Sequence, residues 1–236
     1  MCILVAAAQL AGCKATPAPS VGFADPTLMK HDPAIPFDRF WRKPDVDWKK
    51  YNKVYVADVN TSYMLQLTDW QKGERKADIE EDVQVLRVFT HDSIAKAYRE
   101  DPNHRFKVLD APTHDPDALV FEMALIELVP SKVVLNTLGY APFFIGTGIT
   151  VVRAAASDQS TVAFEARVRD AASGEIVILA ADREAQQVAP VNLRGLTWYS
   201  DAQGLIDAWS KQFVQVSEQK PGETIKGTPT FRLLPW

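Results

Sequence analysis

The sequence has little of what usually betrays a catalytic or metal-binding protein. Its 236 residues include two cysteines, Cys2 and Cys13, both in the first thirteen positions. The remainder therefore has no disulfide framework, thiolate metal site or cysteine nucleophile. Neither sign of charge prevails: 26 Lys and Arg stand against 30 Asp and Glu, a net charge of −4. The charges are interleaved rather than blocked, which removes the electrostatic footprint of a nucleic-acid binder. The four histidines, His31, His91, His104 and His114, show no i, i+3 or i+4 pairing of the kind that places two ligands on one helix face. No serine lies in a Gly-x-Ser-x-Gly turn. Gly146-Thr147-Gly148 lacks both the third glycine of a dinucleotide loop and the lysine of a phosphate loop. These absences leave no catalytic, cofactor-binding or metal-ligating constellation, and the expectation is a protein that is not an enzyme.

What is present begins at the N-terminus. Residues 1–12 are uncharged and apolar apart from Gln9, and Leu10-Ala11-Gly12-Cys13 has the form of a lipobox. Small residues before the cysteine let an extended backbone enter a signal peptidase, and the Cys13 thiol is nucleophilic enough to take a diacylglyceryl group. Each buried CH₂ of an acyl chain contributes about 0.8 kcal/mol and one chain anchors only marginally, so several chains would hold the protein durably on a membrane. Residues 1–12 are thus read as a lipoprotein signal peptide and Cys13 as the site of lipid attachment. A signal peptide normally opens with basic residues, and none precedes Cys13; a start upstream of Met1 is one account of this.

Prolines at 17, 19, 26, 33, 36 and 44 forbid continuous helix or central strand, and residues 13–48 read as a tether. Its free part, 14–34, belongs to a stretch that, fully extended, would reach up to roughly 100 Å at about 3.1 Å per residue. Phe37, Phe40, Trp41 and Trp48 are too apolar for a solvated linker and are expected to pack on the domain. Regular patterning follows. A half-buried strand is expected over 51–59, an amphipathic helix over 74–99 stopped by Asp101-Pro102-Asn103, and short and long strands over 106–109 and 118–129. A hairpin over 161–170 and 175–188 turns at Ser173-Gly174, and a helix spans 201–218. The expected fold is a single α+β domain over 49–219, with a mixed or antiparallel sheet of about five strands. A long helix follows the first strand, a C-terminal helix packs on the sheet, and 220–236 forms a tail.

Phe164-Glu165-Ala166, Asp170, Gly174-Glu175, Asp182-Arg183 and Asp207-Ala208-Trp209, in this order behind the lipobox, resemble the bacterial lipoproteins of domain-of-unknown-function family thirty-three thirteen. The resemblance implies a Gram-negative envelope lipoprotein without an assigned activity. By family analogy, Lys14 after the anchor points to the outer membrane, facing the periplasm.

Three clusters admit sharper readings. Asp110, Asp115 and Asp117 lack the glycine and bidentate glutamate of a calcium loop and sit where turns favour aspartate. Asp170 and Asp182 flank the hairpin. Acid–base work by such a pair needs carboxyls roughly 5 to 9 Å apart, but Asp170 reads better as a turn residue accepting backbone hydrogens and Asp182 as a partner of Arg183 or Arg169. Residues 133–152 carry no charge and admit a buried crossover, a docking patch for a protein partner or second copy, or a membrane-inserting hairpin. The leading expectation is a non-enzymatic binding or accessory protein held to the membrane by lipid. The alternatives are a subunit of an oligomeric envelope export assembly and a hydrolase with an unrecognised site.

Overall fold

The computed structural model describes residues 16–66, 76–129, 159–187 and 200–227. Its strands are β1 (Arg39–Arg42), β2 (Lys53–Val56), β3 (Lys107–Leu109), β4 (Ala118–Val129), β5 (Gln159–Asp170) and β6 (Ile176–Gln187). Its helices are α1 (Ser62–Gln66), α2 (Lys76–Arg99) and α3 (Ser200–Glu218). The strands form one mixed sheet in the order β1-β6-β5-β4-β2-β3. Pairing is antiparallel from β1 to β4 and parallel where β2 joins β4 and β3. The fold is α+β as expected, with a long helix after the early strands and a C-terminal helix on the sheet.

Strand alternation decides what each face meets. Phe121, Met123, Leu125, Phe164, Ala166 and Val168 point to the face covered by α2 and α3, whose Val83, Leu86, Ile94, Leu205, Ile206, Trp209 and Phe213 are buried against them. Phe213 lies at the middle of an aromatic cluster, with ring centroids 4.7, 4.8 and 5.2 Å from those of Phe37, Phe121 and Phe164. Trp209 meets Phe164 edge-on at 4.7 Å. Asp101 ends the region after α2 by accepting the amides of Asn103 and Arg105 at 3.1 and 3.0 Å, as its place before Pro102 anticipates.

The structure departs from the sequence reading chiefly at the N-terminal side. Residues 16–48, read as a tether, lie on the domain. Phe37 is fully buried in the aromatic cluster, and β1 pairs with β6 from Arg39↔Ala181 to Arg42↔Ile178. The supposed free spacer is also engaged, with Ala18, Ala24 and Met29 buried. The prolines exclude helix, but a chain without helix can still cross a sheet face as extended backbone. At four residues between Pro36 and Pro44, β1 is too short to show periodicity. Among the described residues no helix is long and apolar enough to cross a membrane.

The aromatic cluster gives a direct expectation. Phe213→Ala removes a buried ring at the junction of α3, the sheet and the N-terminal segment, and should cost about 3–5 kcal/mol of stability in urea unfolding. Val85→Ala, at an exposed position of α2, should change stability by no more than about 0.5 kcal/mol. Equal effects would contradict this placement of the core.

Candidate functional site

The face of the sheet turned away from α2 and α3 is covered by the N-terminal segment as a strap. Ala18 packs with Ala124, Ile126 and Ala163, and Ala24 and Met29 pack with Leu179 and Ala181. Glu165, on the central strand β5, points to this face and is fully buried. Its Oε1 accepts the Val21 amide at 3.1 Å and its Oε2 accepts the Ala24 amide at 2.8 Å. Arginines hold the strap's carbonyls: Arg39 donates to Ala18 O at 3.0 Å and Arg183 to Thr16 O at 3.1 Å. Arg167 sits over the Phe23 ring, 4.3 Å from its centroid. Two carboxylates complete the ladder. Glu122 accepts from Arg167 and Arg169, and Glu127 accepts from Thr161 and Arg183 at 2.7 and 2.8 Å. Burial works against the charge on Glu122, yet its bonds to Arg169 and Arg167 outweigh it and lower the pKa.

The two hairpin aspartates do not meet. Asp170 lies six residues along β5 from Phe164, the register partner of Asp182, a separation of about 20 Å. Paired carboxyl catalysis would need less than half of that. Asp170 accepts the Ala172 and Ser173 amides at 3.0 and 2.9 Å, as a turn residue should, together with Lys50 Nζ at 2.8 Å and Tyr51 Oη at 2.7 Å. Asp182 does not bond Arg183 or Arg169 through its side chain as expected. Its Oδ2 accepts the Trp209 indole N–H at 2.8 Å and its Oδ1 the Asp38 amide at 3.0 Å. Being on the helix face, it is turned away from the side where Arg183 points. Asp38 completes a reciprocal pair by accepting the Arg183 amide at 3.1 Å.

Asp115 and Asp117 pair with Lys53 at 3.0 and 3.1 Å, and Asp110 pairs with Arg99 at 3.0 Å. His31, His104 and His114 are exposed, and His91 lies 2.9 Å from its neighbour Asp92. Among the described residues no group of three or more His, Cys, Asp or Glu could hold a metal ion. Cys13 and the uncharged run 133–152 lie outside the described residues.

The structure adds a cleft that the sequence did not disclose. It has a volume of about 640 Å³, opens to solvent between the strap and β1, and reaches Gln219 after α3. Its wall mixes Leu28, Pro33, Ile35, Phe40 and Trp41 with Lys30, His31, Asp32 and Arg42. Arg42 lies 5.5 Å from the Phe40 ring centroid and 5.6 Å from that of Trp48, and donates to Val216 O at 3.0 Å. Burial lowers its pKa, with Asp32 opposing. Among the described residues the hydroxyl lining the cleft is Thr27 Oγ1, which donates to Asp25 at 2.7 Å and so is not paired with a histidine as an activated nucleophile would be. An apolar wall with a few charged groups is a surface suited to binding. No sequence signal could have found it, because its residues come from three separate segments.

The family model described as Protein of unknown function (DUF3313) matches residues 22–213. The chain belongs to this family. The match takes in Glu165, Asp170, Asp182, Arg183 and Trp209 and starts within the strap, at the residue after Val21. A search of curated proteins finds no match. Among solved structures, the chain is similar to PelC dodecamers from Paraburkholderia phytofirmans. A point variant of that protein has 15% identity, with 74% of this chain and 93% of that one covered and a TM-score of 0.38. Another PelC structure has 12% identity, 74% and 94% coverage and a TM-score of 0.37. The hypothetical protein CT253 from Chlamydia trachomatis has 8% identity, 71% and 91% coverage and a TM-score of 0.34. At TM-scores below 0.5 these likenesses establish neither activity nor assembly for this DUF3313 member.

Asp170 supplies a pH test. Burial tends to raise its pKa, but Lys50, the Ser173 amide and Tyr51 outweigh burial and hold the carboxyl well below the usual range. A carboxylate depressed in the folded state contributes stability that is present above its unfolded pKa of about 3.9 and is lost as pH falls through the folded value. Asp170→Asn should therefore cost on the order of 1–3 kcal/mol at pH 7. The gap from the wild type should narrow in urea unfolding at pH 3, and a gap independent of pH would contradict this role.

Proposed function

We propose that this DUF3313 protein is an envelope lipoprotein, acylated at Cys13 and facing the periplasm from the outer membrane, whose domain works by binding rather than by catalysis. The observation supporting a binding role is the use made of four buried carboxylates. Glu165 holds two strap amides, Asp170 a turn and Tyr51, Asp182 an indole and an amide, and Asp38 the Arg183 amide. Carboxylates engaged in this way fix the backbone; a general base needs a free lone pair within reach of a substrate proton. The cleft at Trp41 and Arg42 is the concave surface on which a partner would seat, and the uncharged run 133–152 is a second segment for a protein partner or another copy.

The anchoring half rests on the lipobox, and a single substitution tests it. The mature wild-type protein should fractionate with membranes and carry the mass of its acyl chains. Cys13→Ser should appear in the soluble fraction without that mass. A wild-type protein lacking acyl mass, with a Cys13→Ser variant still in the membrane fraction, would overturn the proposal.

A further inference from the structure

The strap fixes more than the protein's own back face. Thr16 is three residues after Cys13, and its carbonyl is already held by Arg183, whose guanidinium also grips Glu127 at 2.7 Å. Three residues span at most about 11 Å, far short of the roughly 100 Å that a free proline-rich spacer would allow. The strap then crosses the sheet from the level of Arg183, through Glu165, to Met29, which packs in the cluster containing Ile176 at the start of β6. Thr16 therefore meets the sheet at the end where β4 finishes, β5 starts and β6 finishes, opposite the turn at 171–175.

We propose that this end of the sheet, marked by Glu127, Thr161 and Arg183, lies against the lipid surface, and that the β5–β6 turn points away from it. The inference rests on acylation of Cys13. Given that anchor, the domain stands on the bilayer in one orientation instead of swinging on a leash. The strap's hydrogen bonds act as the rigid joint, and the cleft and the β5–β6 turn are offered at fixed heights above the membrane.

The mature lipoprotein makes the test clean, because the Cys13 sulfur is in a thioether and an introduced cysteine is then the one free thiol. Ala185→Cys lies near the proposed membrane end of β6, and Ala172→Cys lies on the exposed β5–β6 turn. The two are separated by about 30 Å along the strand direction. Each acylated variant, labelled with a donor fluorophore, is reconstituted into vesicles of phosphatidylethanolamine and phosphatidylglycerol carrying an acceptor dye on the headgroups. Energy transfer should be strong from position 185 and several-fold weaker from position 172. Equal transfer from both positions, in protein that floats with the vesicles and carries acyl mass, would overturn the orientation while leaving the anchor intact. Protein that neither floats nor carries acyl mass would overturn the anchor itself, and the orientation with it.

Discussion

The fold depends on a carboxylate in an unusual place. Glu165 lies in the middle of the central strand β5, on the face turned away from α2 and α3, and is fully buried. A carboxyl group removed from water without hydrogen-bond partners is costly by about a few kcal/mol. The amides of Val21 and Ala24 meet that cost only while the N-terminal strap lies over it. The strap in turn needs the sheet, since backbone crossing a protein face must find hydrogen-bond partners. Glu165 and the arginines Arg39 and Arg183 provide them. Each side thus supplies what the other would otherwise lack, and the same contact that closes the back of the sheet also sets where the chain leaves towards Cys13.

A second constraint joins the two faces. Asp38 and Asp182 exchange bonds at the β1 edge, with the Asp38 amide on Asp182 Oδ1 and the Arg183 amide on Asp38 Oδ2, while Asp182 Oδ2 takes the Trp209 indole. One buried carboxylate therefore ties the strap, β6 and α3 together. Phe37, the residue before Asp38, then enters the aromatic cluster with Phe164 and Phe213. The chain passes from the back face round the edge and into the core within a few residues, which is why the cleft beside Trp41 is bounded by the strap on one side and by Gln219 on the other.

Much of this was legible in the sequence, and the failures are informative. The long strands β4, β5 and β6 and both long helices show in the pattern because each repeats its period several times. The turn role of Asp170 was legible because Ser173-Gly174 follows it at turn spacing. The strap was not, because proline-rich extended chain has no period, and the same composition suits a free tether and a chain held by side chains from across the sheet. Nor could the role of Asp182 be seen, since its partners Trp209 and Asp38 are distant in sequence, 27 and 144 residues away. Glu165 was visible only as part of the Phe164-Glu165-Ala166 resemblance; what its carboxylate does is set by which segment arrives above it.

Whether the strap is part of the native fold is tested most directly by amide hydrogen exchange at Val21 and Ala24. Both amides sit in a segment without helix and outside the sheet's named strands, so Glu165 is their source of protection. If the carboxylate holds them as described, both should exchange slowly, approaching the amides of β5 itself, and both should become fast in Glu165→Ala while β5 remains protected. Exchange of Val21 and Ala24 at the rate of an unstructured chain in the wild-type protein would contradict the account.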